Sequence, residues 1–347
     1  MSDIGFYIPV MEKFSLKNIY SRLGDEKSRF LFEKRLCYSL TGDMQRMIDH
    51  MIGKEDFQKK MQEVKKEIFV FGAGTCSIFA VKAFPEIPWR AFIDNDNSKV
   101  GKTNVLPVVS FEEFMKNSEN ALVFIASVIY GDEMKNQLTS NGFPEGSIIP
   151  FYLYNNVYFE LPYLKPQKNE FFIDAGGWNG STTNNFFQWL RNNGGCNGRS
   201  IIFEPHPVQY NVCKDNFQGC DNVKIENKGL WHKKETIRFS KEGQGSRISP
   251  NGEEVIETVS LDEYFENGKE PVTFIKMDIE GAELNALKGA ERTIKKYKPK
   301  LAICIYHKPE DIWEIPSLLL DFVPDYKFYI RHYFFSNFDT ILYAVHE

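Results

Sequence analysis

Twice in this chain a short apolar strand runs straight into a glycine turn and then into a helix. Ile68-Phe69-Val70-Phe71 leads into Gly72-Ala73-Gly74 and a helix through Ile78 to Phe84. Phe171 to Ala175 leads into Gly176-Gly177-Trp178-Asn179-Gly180 and a helix from Ser181 to Arg191. Strands that turn over into helices through short loops form βα units, and such units in series pack as a parallel sheet with both faces covered. Both series continue. The first adds strands from Trp89 to Ile93, ending at Asp94, and from Leu122 to Ala126, with a helix from Met134 to Asn141. The second adds strands Ser200 to Glu204, Val223 to Asn227, Thr273 to Asp278 and Leu301 to Tyr306, with helices Pro207 to Phe217 and Glu283 to Lys296. Polar, hairpin-like strands (Glu235 to Ser240, Glu257 to Ser260) interrupt the second series, and strands Tyr326 to Arg331 and Thr340 to Val345 close it.

The expected organisation is therefore a helical N-terminal segment over 1–65, a smaller α/β domain over 66–150, and a larger α/β domain over 151–347, with a Tyr-, Asn- and Pro-rich linker over 151–169. In the first segment a helix around Phe30 to Tyr38 stops at Thr41-Gly42-Asp43, and a second, Gln45 to Lys66, breaks near Gly53. At 347 residues and 42% hydrophobic composition the chain has material for two cores.

Charge and cysteine use exclude several classes of function. The net charge is -5 and no basic patch stands out, so nucleic acid is not the expected partner. None of the six cysteines forms a CxxC pair or a zinc spacing, and several lie in apolar runs, which points to a reducing, cytoplasmic setting. No apolar run approaches the roughly 20 residues needed to cross a bilayer. Oligomeric state stays open, with a homo-oligomer among the alternatives.

The first glycine loop is compatible with dinucleotide binding: Asp94 ends the next strand, where an acid can take a ribose hydroxyl. A glycine turn of this kind also serves tight packing without any ligand. The stretch Ile93-Asp94-Asn95-Asp96 with Lys99-Val100-Gly101 and Leu106-Pro107-Val108 resembles Rossmann-like domains attached to sugar-modifying and polysaccharide-biosynthesis enzymes.

The second loop carries the chemistry. Asp174 precedes Gly176, Gly177, Asn179 and Gly180, the glycines let a ligand approach the backbone, and an acid there suits a zwitterionic, sulfonium-bearing ligand better than a pyrophosphate. Glu204 ends the next strand and offers two oxygens to a ribose. In Phe274-Ile275-Lys276-Met277-Asp278-Ile279-Glu280-Gly281-Ala282-Glu283, two acids, Asp278 and Glu280, emerge from a buried strand at the edge where open α/β sheets bind ligands. Glu283 reads as serving the N-terminus of the following helix. His307 follows the strand Leu301 to Tyr306 at the same edge, and an imidazole with a pKa near neutrality is a candidate base there; a hydrogen-bonded structural histidine is the competing reading. Asp278 is the other candidate base or an orienting group for the cofactor, and Glu280 a holder of substrate hydroxyls. Asp278 and Glu280 lie close together, yet no His-rich ligand set accompanies them, and no metal is expected.

These pieces together resemble the FkbM family of methyltransferases: Ile173 to Gly180, Phe203-Glu204-Pro205, Ser260-Leu261-Asp262, and the run from Ile275 through Leu287-Lys288-Gly289-Ala290. The resemblance implies a class I methyltransferase fold, with a mostly parallel, Rossmann-like sheet and an antiparallel last strand, here preceded by a second, smaller Rossmann-like domain. It implies S-adenosyl-L-methionine as donor and a hydroxyl on a sugar, glycan or related small molecule as acceptor. Gly177-Trp178 departs from the Ala-Asn often found in the family. The competing functions are an NAD(P)-dependent sugar-modifying oxidoreductase or epimerase at the first loop, and a nucleotide-binding scaffold without catalysis.

Overall fold

A computed structural model describes residues 16–346 apart from 44, 50, 102–104, 128–129, 151–156, 195–196, 243–244, 249–251, 253, 267–270 and 337. The chain divides into two compact units, one of Asp43–Asn155 with Tyr333–Asn337, the other of Met1–Gly42, Asn156–His332 and Phe338–Glu347. Residues 151–156 of the expected linker lie outside the described residues.

The smaller unit is a five-stranded sheet of β1 (Glu67–Phe71), β2 (Trp89–Asp94), β3 (Val108–Ser110), β4 (Ala121–Ile125) and β5 (Ile148–Ile149), parallel throughout and ordered β3-β2-β1-β4-β5. Strand residues alternate between its faces. Ile68, Val70, Phe92 and Phe124 pack with Phe57 and Phe84 on one side, and Phe69, Phe71, Ile93 and Val123 with Phe114 and Phe143 on the other. Phe334 and Phe335, from a segment more than two hundred residues later, complete the first of these clusters. The break expected near Gly53 separates helices Gln45–Ile48 and Lys54–Gln62, with Gly53 in the left-handed region at φ 73°.

The larger unit holds β6 (Asn169–Ala175), β7 (Asn197–Phe203), β8 (Val223–Glu226), β9 (Gly229–Leu230), β10 (Thr236–Glu242), β11 (Gly245–Ile248), β12 (Glu254–Val259), β13 (Phe274–Met277), β14 (Lys300–Cys304), β15 (Lys327–His332) and β16 (Thr340–Val345). Seven of these form one sheet ordered β15-β16-β14-β13-β6-β7-β8. β16 runs antiparallel to both its neighbours, and the pairings from β14 through β8 are parallel. A side sheet, β11-β10-β12-β9, carries the polar hairpin strands. Strand order reverses on either side of β6, and β6, β7, β13 and β14 aim their carboxyl ends at one edge. That is the fold of a class I methyltransferase, an α/β sheet with its last strand inserted antiparallel.

The N-terminal helices Leu16–Ser21 and Glu26–Thr41 belong to this larger unit. Asp25 caps the longer helix through the Ser28 N–H at 2.8 Å and pairs with Arg331 on β15 at 2.6 Å, while the Ser28 hydroxyl accepts the Ile330 N–H at 2.9 Å. Gly42, at φ 70°, ends that helix where the stop was expected. Among the described residues no helix is long and apolar enough to cross a membrane.

Candidate active site

The second glycine loop crosses the tip of β13 with no room to spare. Gly176 has φ 75°, and a Cβ there would lie 2.0 Å from the Asp278 carbonyl oxygen. Trp178, one of the few non-glycine residues with positive φ (51°), is held by two bonds: its N–H donates to Glu204 Oε2 at 2.8 Å, and its carbonyl accepts from Cys213 Sγ at 3.0 Å. Its side chain remains 55% exposed, so it does not pack the loop.

Asp174 does not face the ligand edge as the sequence suggested. It is fully buried, accepts the Thr183 hydroxyl at 2.8 Å and pairs with Lys276 at 3.2 Å. The reason lies in the neighbouring strand: β13 places the Lys276 ammonium beside it, and a buried charge of either sign requires its partner. Lys276 also donates to the carbonyls of Ala175 (3.1 Å) and Gly176 (2.6 Å), so the pair braces the glycine loop from below. Asn179 is likewise structural, its side-chain oxygen accepting the Ser181 N–H at 3.0 Å and its carbonyl the Asn216 amide at 2.9 Å. Gly177 and Gly180 pack against Ile202 and Phe217.

Glu204 stands at the tip of β7, 6% exposed, with one oxygen on the Trp178 N–H and the other on the His206 N–H at 2.9 Å. Each oxygen keeps a lone pair for a further donor. Burial pushes its carboxyl above the usual range, so an added hydrogen bond from a ligand is a gain for the ionised form.

At the tips of β13 and β14 the structure gathers Asp278, Glu280, Glu283 and His307. Asp278 accepts two phenol hydrogen bonds, from Tyr158 and Tyr306, each at 2.9 Å. Burial works to raise its pKa, but Lys276, His307 and the two phenols outweigh it and hold the carboxyl below its ordinary value. His307 has Glu283 Oε1 at 3.0 Å from Nδ1, with Glu280 Oε2 at 3.5 Å and Asp278 Oδ1 at 3.6 Å from Nε2. Burial alone would lower its pKa; the three carboxylates reverse that and push it up to about 9. The expectation of a titration near neutrality at His307 is therefore corrected, because the sequence did not place Glu283 against it. Within the cluster it is Glu280 that is raised toward neutrality, pushed up to about 7 by burial with Asp278 and Glu283 nearby. Its backbone is left-handed (φ 57°) and its side chain stays 43% exposed, turned to the open side of the cluster.

Asp278, Glu280 and His307 thus come together as the sequence suggested. Glu283 does accept a backbone N–H, from Ile279 at 2.8 Å, but it also joins the cluster. Tyr158 precedes the expected start of the domain's first strand and had no sequence signal. Asp339, also pushed up to about 7 by burial and by Asp278, lies on the late segment before β16 and had none either. Lys276 did carry one: a charge inside the apolar run Phe274–Met277 demands a buried partner.

Fold and site define a class I methyltransferase, an enzyme class whose donor is S-adenosyl-L-methionine. Residues 174–333 match the family model described as the Methyltransferase FkbM domain. The crystal structure of methyltransferase FkbM from Methylobacillus flagellatus KT aligns over 92% of this chain and 99% of its own, with 17% identity and a TM-score of 0.50. Aeropyrum pernix fibrillarin in complex with S-adenosyl-L-methionine aligns over 55% of this chain and 76% of its own, with 12% identity and a TM-score of 0.36. No curated protein matches the chain.

The residues fit the donor. Glu204 has acceptor capacity for ribose hydroxyls, the Gly176-Gly177 backbone carries no side chain to exclude a ligand, and the carboxylates beyond it suit a cationic sulfonium and ammonium.

Proposed function

We propose that this protein transfers a methyl group from S-adenosyl-L-methionine to a hydroxyl of a sugar, a glycan or a related small metabolite. The observation that carries the reading is the cluster of Asp278, Glu280 and His307 at the tips of β13 and β14, beside the glycine loop that meets the donor. Methyl transfer from a sulfonium is an in-line displacement: the acceptor oxygen forms its bond to the methyl carbon as the carbon–sulfur bond breaks, and a thioether departs. Positioning supplies most of the acceleration, and an alcohol also needs its proton removed.

Glu280 is the group suited to that proton. It stands at the open side of the cluster, and His307 backs it at 3.5 Å, so negative charge on the carboxylate has a cation beside it. Asp278, held by two phenols, is fixed rather than free and serves as an orienting charge. Glu204 takes the ribose, while Asp174 and Lys276 keep the loop in place. Carbohydrate hydroxyls suit the polar, acid-rich edge better than an apolar phenol would.

Against the nicotinamide alternative stands the engagement of its acid in an ion pair and two backbone bonds. Asp94 Oδ2 already accepts the Ala73 N–H at 2.8 Å and pairs with Lys99 at 3.0 Å, and Oδ1 accepts the Asp96 N–H at 2.9 Å. Its carboxylate fastens its own loop.

Calorimetry with S-adenosylhomocysteine tests the reading. The wild type should bind with one site per chain, and Glu204→Ala should weaken binding by about 1 to 3 kcal/mol, the range for an unpaired polar group. Binding of NAD without S-adenosylhomocysteine would overturn the proposal.

A further inference from the structure

The cluster at the tips of β13 and β14 holds more ligand atoms than its hydrogen bonds use. Glu283 is fully buried, and its Oε2 has no hydrogen-bond partner among the described residues. The His307 side chain is 9% exposed, and neither ring nitrogen makes a hydrogen bond to a described residue. Buried imidazoles ordinarily bond through at least one nitrogen. Here Glu283 Oε1 stands 3.0 Å from Nδ1, while Glu280 Oε2 and Asp278 Oδ1 stand 3.5 and 3.6 Å from Nε2.

Those separations have another reading. The 3.0 Å between His307 Nδ1 and Glu283 Oε1 is the spacing of two donors bound at about 2.1 Å to one ion at an octahedral angle, and Asp278 offers a third donor atom within 4.8 Å. Charge points the same way. Asp278, Glu280 and Glu283 bring three carboxylates to one edge, while Lys276 is engaged with Asp174 and the loop carbonyls, and Lys308 with the Gly281 carbonyl.

We infer that Asp278, Glu283 and His307 form a binding site for a divalent cation, with Glu280 on its open side. One donor atom from each of the three lies within 4.8 Å of the others. An imidazole among carboxylates suits Mn2+ or Zn2+ rather than a purely oxygen-liganded ion such as Ca2+. Binding needs the neutral ring, so the ion displaces a proton from His307. The purpose of the site rests on the methyltransferase reading: a cation there polarises an acceptor hydroxyl and eases transfer of its proton to Glu280. Its existence does not rest on that reading.

The test uses the full chain with Mn2+ alone, in the absence of any methyl donor, and is repeated with Zn2+. Free Mn2+ followed by electron paramagnetic resonance should show one ion bound per chain, and the bound ion should show spin-echo modulation from one imidazole nitrogen. Glu283→Gln keeps the size of the side chain and an oxygen for the Ile279 N–H, and should weaken Mn2+ at least tenfold. His307→Gln should remove the nitrogen signal. The inference is overturned if neither ion binds, or if Mn2+ binds without a nitrogen signal in the wild-type protein, a result that needs no variant to fold. S-adenosylhomocysteine calorimetry without metal keeps the two ideas apart: its failure alongside intact Mn2+ binding sinks the methyltransferase reading alone.

Discussion

The two glycine loops look alike on paper and differ in what surrounds them. Around the first, a Cβ on Gly74 would meet nothing within 4 Å, and one on Gly72 would come no nearer than 3.4 Å to the Ser77 hydroxyl. Around the second, a Cβ would reach the Asp278 carbonyl at 2.0 Å from Gly176 and Ile202 at 2.2 Å from Gly177. The first loop is tied by a buried strand-tip acid whose lysine partner is partly exposed; the second is pressed onto a neighbouring strand and braced by a fully buried ion pair. A glycine turn is thus a permissive feature, and its strand-tip neighbours decide its use.

The largest contrast is expected at the strand-tip acids. Asp278→Asn should lower turnover by about 10²-fold with the fold intact, the scale of losing a charge that positions the reacting groups. Asp94→Asn should leave turnover within a factor of about two. Steady-state assays with circular dichroism as control decide it, and an active Asp278→Asn would remove that residue from the chemistry.

The braces come next. Lys276→Met strands Asp174 as an unpaired buried charge and should cost about 3 to 5 kcal/mol in denaturant unfolding. Lys99→Ala, on the partly exposed counterpart pair, should cost under about 1 kcal/mol. Equal losses would erase the distinction between the loops.

The glycines themselves sharpen it further. Gly176→Ala combines a left-handed backbone with a clash against main chain and should cost about 2 kcal/mol or more, together with loss of S-adenosylhomocysteine binding. Gly74→Ala should stay within about 0.5 kcal/mol.

The smallest effect lies away from both loops. Arg331 and Ser28 outweigh the effect of burial on Asp25 and hold its carboxyl below the ordinary value. A depressed folded pKa gives stability that is present above the unfolded value of about 3.9 and fades as pH falls through the folded one. The contribution is about 1 kcal/mol after allowing for partial exposure. Melting temperature measured from pH 7 to 3 should fall less steeply for Asp25→Asn than for the wild type.

Much of this was legible from local pattern. Strand runs such as Phe171 to Ala175 and Leu301 to Tyr306, and stops such as Gly42 and Gly53, follow from periodicity and backbone sterics, which act over a few residues. The meeting of Asp278, Glu280 and His307 was legible too, since parallel strands carry successive tips to one edge. Pairings across that edge were not. Nothing near Asp174 announces that Lys276, a hundred residues on, will neutralise it, or that Tyr158 and Tyr306 will both turn to Asp278. Glu283 satisfied a local rule at a helix start, and that adequate local role hid its longer-range one. Leu23 and Asp25 meet Phe328 and Arg331 on β15, a pairing that helix spacing does not encode.

The path of the chain has a practical consequence. The backbone passes from one unit to the other at 42–43, 155–156, 332–333 and 337–338. No single cut therefore yields two whole bodies. A fragment beginning at residue 156 would keep the methyltransferase sheet but lose the helix that covers β15, and would carry Phe334 and Phe335 without the sheet they pack on. Such a fragment is a candidate for aggregation and cannot stand in for the catalytic half. Point substitutions, not truncation, are the means to ask what the smaller unit contributes.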